Sequence, residues 1–186
     1  MILKGIQLSC LAFLFFCQSV LATEGKISLT AGYFGINAKA NGNTSNIGNP
    51  SAFKIGYQYP IANHFELTGA YTILLADFSG SDLGYGLDLG ANYYPFTFSH
   101  EDKAKDPHFE VKRYQQYSPF IGLGFYQRQF QSVKNSYAGP GVTVGLERYH
   151  NKKINLKAEA RYITMAGAGE SEATEMNFLF GIVYKL

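Results

Sequence analysis

The residues able to do chemistry in this sequence are few, and their spacing limits what they can do. Four histidines occur, His64, His100, His108 and His150. None shares a strand face with another, so they do not assemble the ligand set of a zinc or iron site. His64 falls in a short turn. His100 and His108 fall in a segment whose mixed acids and bases mark a solvated stretch. His150 ends a strand, with no serine within several residues and Lys152 two positions on, so a Ser-His-acid hydrolase has no local support there. The stretch GYGLDLG, from Gly84 to Gly90, lacks the spacing of a dinucleotide fingerprint and has no helix after it. What remains is charge of both signs at alternate positions: Glu66, Asp88, Arg128, Glu147, Lys157, Glu159, Arg161 and Lys185. The chemistry open to such a set is mutual neutralisation, since charges withdrawn from water need partners.

The elements that must position these charges read as strands. Over residues 176–186, Met176, Phe178, Phe180, Ile182, Tyr184 and Leu186 alternate with Asn177, Leu179, Gly181, Val183 and Lys185. A period of two puts the two sets on opposite faces. The same alternation predicts strands over 26–38, 52–59, 65–75, 83–94, 117–129, 141–149 and 154–165, with turn-rich sequence between them. One face is large and apolar throughout. The other carries the charges and a series of glycines that includes Gly56, Gly86, Gly122, Gly145 and Gly181. Glycine weakens a strand that faces solvent, but it suits the inside of a narrow eight-stranded barrel. Lys or Arg on a lipid-facing wall would cost about 2–4 kcal/mol each at the midplane. The pattern therefore predicts an all-β fold, an eight-stranded antiparallel up-and-down transmembrane barrel with its apolar face outward and a polar, ion-paired lumen. The short HNKK turn fixes one register: Glu147 opposite Lys157, Gly145 opposite Glu159, and Thr143 opposite Arg161.

Residues 1–22 form a leader with Lys4 ahead of an apolar run and small residues at the expected cut, the pattern of a cleaved signal peptide. Both cysteines, Cys10 and Cys17, lie within it, so no disulfide framework is expected in residues 23–186. Loss of Lys4 brings the formal charge from +2 to +1, which gives no reason to expect a nucleic-acid partner. The 14 tyrosines and 15 phenylalanines, with no tryptophan, supply aromatic belts. After the leader no apolar run is long enough for a membrane helix. A charged insert is expected at about 97–116, within a single barrel domain.

The hairpin FKIGYQYPIANHFELTGAY, the pair LGYGLDLGANYYP and YSPFIGLGF, and the terminal FGIVYKL together resemble the small eight-stranded bacterial outer-membrane barrels of the OmpA transmembrane-domain or OmpX type. Gly181, Tyr184 and Leu186 are similar in placing to the C-terminal signal of such barrels. The resemblance covers the chain after the leader and implies an outer-membrane location in a Gram-negative bacterium, reached by signal-peptide export. It implies a monomer among outer-membrane lipid and lipopolysaccharide, handled by the barrel-assembly machinery through its last strand. Both termini would then be periplasmic, and Tyr59, Phe65, Tyr93, Tyr117 and Tyr184 would form one membrane-interface girdle. The expected role is structural or surface-interacting, without catalysis, cofactor or metal. An extracellular ligand would engage loops at 41–49, 78–82, 131–138 and 166–175. A lipid A-modifying acyl hydrolase or transferase is the alternative, and a secreted soluble ligand-binding barrel comes third.

Overall fold

A computed structural model describes residues 25–40, 43–75, 83–96, 102–106, 109–113, 117–130, 136–169 and 171–186. The expected leader, 1–22, lies outside the described residues, as do most of the expected loops at 78–82 and 131–138. The described residues form ten strands: β1 (Lys26–Ala40), β2 (Asn43–Ala62), β3 (Phe65–Leu75), β4 (Leu83–Tyr93), β5 (Asp102–Asp106), β6 (Phe109–Arg113), β7 (Tyr117–Phe130), β8 (Ser136–Tyr149), β9 (Ile154–Ala166) and β10 (Glu172–Lys185). Eight of them close into one antiparallel barrel in the order β1-β10-β9-β8-β7-β4-β3-β2. Closure comes from β1, which pairs with β10 on one side and β2 on the other. Every barrel strand therefore has two neighbours, and no edge strand is left over its paired length.

The alternation resolves as the sequence demands. Phe53, Leu67, Leu87, Leu123, Val144 and Phe180 are exposed on the outside, while Gly86 and Gly122 are buried inside. Adjacent residues differ sharply: Leu87 is 55% exposed and Asp88 5%. A soluble ligand-binding barrel would have these faces reversed. Tyr59, Phe65, Tyr93, Tyr117 and Tyr184 all sit on outward positions at the end where β1 starts and β10 stops, called here the proximal end.

Three boundaries differ from the sequence reading. The region 43–49, expected as loop, is the first part of β2, paired with β1 from Ala40↔Asn43 to Phe34↔Asn49. Asn- and Gly-rich sequence reads as a turn, yet its backbone groups are satisfied equally well by a hairpin partner. The two residues between these strands are Asn41-Gly42, the dipeptide that most favours a tight hairpin. At the same end, β8 begins at Ser136 and β10 at Glu172, so both strands reach into the expected loops. The charged insert at 97–116 contains a hairpin, β5 with β6, running from Asp102↔Arg113 to Asp106↔Phe109.

These longer strands bring an inversion of polarity that the period-two reading lacked. Past Tyr33, Phe125 and Tyr162, the outward positions become Asn37, Lys39, Gln127, Gln129 and Thr164, all exposed. The inward positions become Phe34, Ile36, Leu74, Phe130, Tyr137, Ile163 and Met165, which form one apolar cluster. At this distal end the barrel is built like a water-facing protein, with its apolar core inside. A one-residue slip would exchange both faces at once, so the facing is directly testable. Val144→Cys should react readily with a membrane-soluble thiol reagent, and Thr143→Cys, one residue away and inward, should react slowly. Equal reaction of the two would overturn the facing.

Candidate functional site: a charged lumen under an apolar cap

The interior of the barrel is filled by side chains from all eight of its strands, and most of them are polar. At the proximal end, Lys26 from β1 bonds to Glu66 from β3 and lies 3.8 Å from Glu147 of β8. The Tyr94 hydroxyl stands between the two acids, 3.0 Å from Glu66 Oε2 and 2.9 Å from Glu147 Oε1, and donates to one of them at a time. Asn155 Nδ2 donates to Glu147 Oε2 at 3.2 Å.

Above this layer lies Lys157, 3.8 Å from Glu147 and 3.4 Å from Glu159. Its ammonium also lies 4.6 Å from the centre of the Phe120 ring, a favourable position for a cation on an aromatic face. That ring needs Gly145, since a Cβ there would meet it at 2.3 Å. Glu159 takes Lys54 from across the barrel and accepts from Arg161 Nε and Nη2 at 3.0 and 2.7 Å. Arg161 Nη1 continues to Asp88 Oδ2 at 2.7 Å, which Thr72 also reaches at 2.7 Å.

The top of the network is Arg128, whose residue exposure is 0%. Its Nε and Nη2 bind both oxygens of Glu175, at 2.8 and 2.9 Å. Its Nη1 binds Asp88 Oδ1 at 2.5 Å. Gly86 leaves space for that guanidinium: a Cβ would come within 1.8 Å of the Gln127 carbonyl and 2.8 Å of Nη1. The Tyr126 ring lies 5.8 Å from Arg128 and 5.7 Å from Arg161. The apolar cluster closes the lumen above. Among the described residues, Lys26, Lys54, Arg128, Lys157 and Arg161 meet Glu66, Asp88, Glu147, Glu159 and Glu175 in ion pairs, so the bases and acids balance.

The sequence-derived set thus lands in one connected place, apart from Lys185, which lies at the proximal mouth 5.4 Å from the centre of the Tyr149 ring. The register of β8 on β9 is the expected one, with Glu147↔Lys157, Gly145↔Glu159 and Thr143↔Arg161. Three members escaped the sequence reading. Lys26 opens its strand, and Glu175 stood in an expected loop. Lys54 shares the parity of Gly56, which was its available signal. The girdle residues stay outside, with the Phe65 and Tyr93 rings packed at a tilt, 5.0 Å between centres.

The space left inside is small. A polar cavity of about 30 Å³ lies among Lys54, Gln58, Asp88, Asn92, Thr143 and Glu159, far below the roughly 300 Å³ at which ligand pockets begin. His64 is used in the proximal turn, with Nδ1 2.8 Å from the Tyr94 carbonyl. His150 is exposed in the β8–β9 turn. The geometry suits holding the wall together.

Removal of one partner from a buried, hydrogen-bonded pair leaves the other charge stranded, at about 3–5 kcal/mol. Arg128→Met should fall in that range in urea unfolding from micelles, and adding Glu175→Gln should recover part of the loss. Coupling between Lys157 and Glu147 should be weaker than that between Arg128 and Glu175, because their contact is longer and Lys157 also serves Glu159. A double-mutant cycle for each pair measures this directly, and the reverse ranking would discard the network as described.

No family model and no curated protein sequence matches the chain. Solved structures do. Neisserial surface protein A is 13% identical, with a TM-score of 0.62, covering 88% of this chain and 98% of its own. The N-terminal β-barrel domain of Pseudomonas aeruginosa OprF is 15% identical, with a TM-score of 0.50, covering 87% and 97%. At these identities the likeness speaks for architecture, and it agrees with the closed antiparallel sheet above: the chain has the fold of the small eight-stranded outer-membrane barrels.

Proposed function

We propose that this protein is an outer-membrane barrel of a Gram-negative bacterium, with a structural or surface-interaction role and no catalysis. One observation carries the membrane reading. The outer wall presents a continuous belt of exposed Leu, Ile, Val, Phe and Tyr on every barrel strand, while the ionised groups face inward. Soluble monomers rarely expose apolar patches beyond a few hundred Å². A lipid bilayer satisfies such a belt, and a closed sheet is the form in which strands can span it. Rows of aromatics bound the belt, Tyr59, Phe65, Tyr93, Tyr117 and Tyr184 on one side and Tyr33, Phe125, Tyr162 and Phe178 on the other, as interface girdles do.

In this reading the proximal end, with both chain ends, faces the periplasm, after export directed by the leader. The distal barrel stands beyond the outer interface, which accounts for its inverted polarity. The protein sits as a monomer among outer-membrane lipid and lipopolysaccharide, and the barrel-assembly machinery takes it up through β10. Ligands from outside the cell would meet the distal connections. The non-catalytic reading is supported by the engagement of the lumen charges with one another, which leaves no free general base there among the described residues, and by the exposed placing of His150 in its turn. The acyl-transferring form of the lipid A-modifying alternative would need an acyl slot where Asp88, Glu159 and Arg161 now stand.

The expected result is recovery in the detergent-extracted outer-membrane fraction, and lipid A of unchanged mass by mass spectrometry whether or not the protein is expressed. Recovery in the soluble periplasm would remove the membrane reading. A change in lipid A mass that depends on His150 would establish the enzyme instead. In planar bilayers the capped and plugged lumen should give no steady conductance.

A further inference from the structure

The proximal rim is chemically lopsided. On β7 and β8, Tyr117 lies opposite Arg148, and the guanidinium stands 5.7 Å from the centre of the tyrosine ring. On β9 and β10 the same pairing recurs: the Lys153 ammonium is 5.8 Å from the centre of the Tyr184 ring and 3.4 Å from its hydroxyl. Arg148, Lys152 and Lys153 are all exposed. Arg148 lies near the end of β8, and Lys152 and Lys153 stand on the turn after it, where Asn151 Oδ1 accepts from the backbone N–H of Lys153 and Ile154 at 2.9 and 2.8 Å. The Lys153 carbonyl also accepts from Lys185 N at 2.8 Å. Among the described residues of β7 to β10 and their turn at this rim, the one acidic side chain is Glu147, which points inward and is 1% exposed. Asp102, Asp106 and Glu110 belong to the separate β5–β6 hairpin between β4 and β7. The facing rim differs: from Tyr59 to Phe65 and from Ala91 to Phe96 there is no Lys or Arg.

We infer that the β7–β10 rim is a binding surface for the phosphate of an anionic glycerophospholipid in the leaflet at the proximal end. The inference rests on the membrane reading above. Tyrosines at headgroup depth hold two cations where a lipid phosphate lies. The aliphatic stems of Arg148 and Lys153 cover ring surface while their charged heads reach the polar layer. Arg148 offers a fork for two phosphate oxygens, and Lys153 a point charge beside it. A zwitterionic lipid carries its own cation and loses much of this attraction, so the rim selects by net charge.

The test uses the full barrel in phosphatidylcholine bilayers doped with spin-labelled phosphatidylglycerol or spin-labelled phosphatidylcholine. Electron paramagnetic resonance then reads the lipid fraction immobilised on the protein. The wild type should prefer the anionic label by about fivefold, and Arg148→Gln/Lys153→Gln should bring that to within about twofold of parity. Lys39→Gln, exposed at the distal end, should leave the preference unchanged. The wild-type preference should also fall as salt rises, a check that needs no variant to fold. A wild type that inserts yet shows no preference, a preference indifferent to salt, or a folded double variant that keeps it would overturn the lipid site while leaving the membrane reading intact. Failure to insert into any bilayer would sink both readings.

Discussion

Arg128 lies wholly inside the barrel, held by Glu175 on one side and Asp88 on the other, and the rest of the interior is arranged around the need to neutralise charges of this kind. An ion removed from water costs several kcal/mol unless a partner of opposite sign is fixed beside it. Asp88 is shared with Arg161, Arg161 with Glu159, and Glu159 with Lys54 and Lys157. Each residue in the chain of pairs lies within reach of the next, and three of the pairs, Arg128–Glu175, Arg161–Asp88 and Lys54–Glu159, join strands that are not neighbours in the sheet. A closed sheet held only by its ladder would have a hollow centre. Here the centre is the tie across it.

That tie sets the places of the small residues. Gly86 and Gly145 stand where a side chain would displace Arg128 or the Phe120 ring. Their conformational cost in a strand is offset by the volume they yield to larger neighbours. At Gly145 a small inward residue stands opposite large ones on both neighbouring strands, Phe120 on β7 and Glu159 on β9.

The barrel is also two environments stacked along one axis. Over the belt, apolar groups face out and ions face in. Past the distal aromatics the rule reverses, and Phe34, Leu74, Phe130 and Ile163 form an ordinary buried core. The strands run through the change without a break, because the backbone ladder is indifferent to which face is greasy. The side chains alone register the change of surroundings.

Much of this was legible in the amino-acid order. Period two needs no partner to be read, so the eight strands of the belt, their inward and outward sets, and the Glu147–Lys157 register beside a short turn all followed from spacing. The distal ends were harder, since segments such as NTSNIGN carry the composition of a loop and become strand only when a neighbour supplies the hydrogen bonds. Parity told which residues face inward, and for Lys54 that was available. It could not tell that Lys54 meets Glu159, 105 positions away, or that Glu175 meets Arg128. Which inward groups share a level across the lumen depends on closure of β1 onto β10, and closure is a property of all eight strands together.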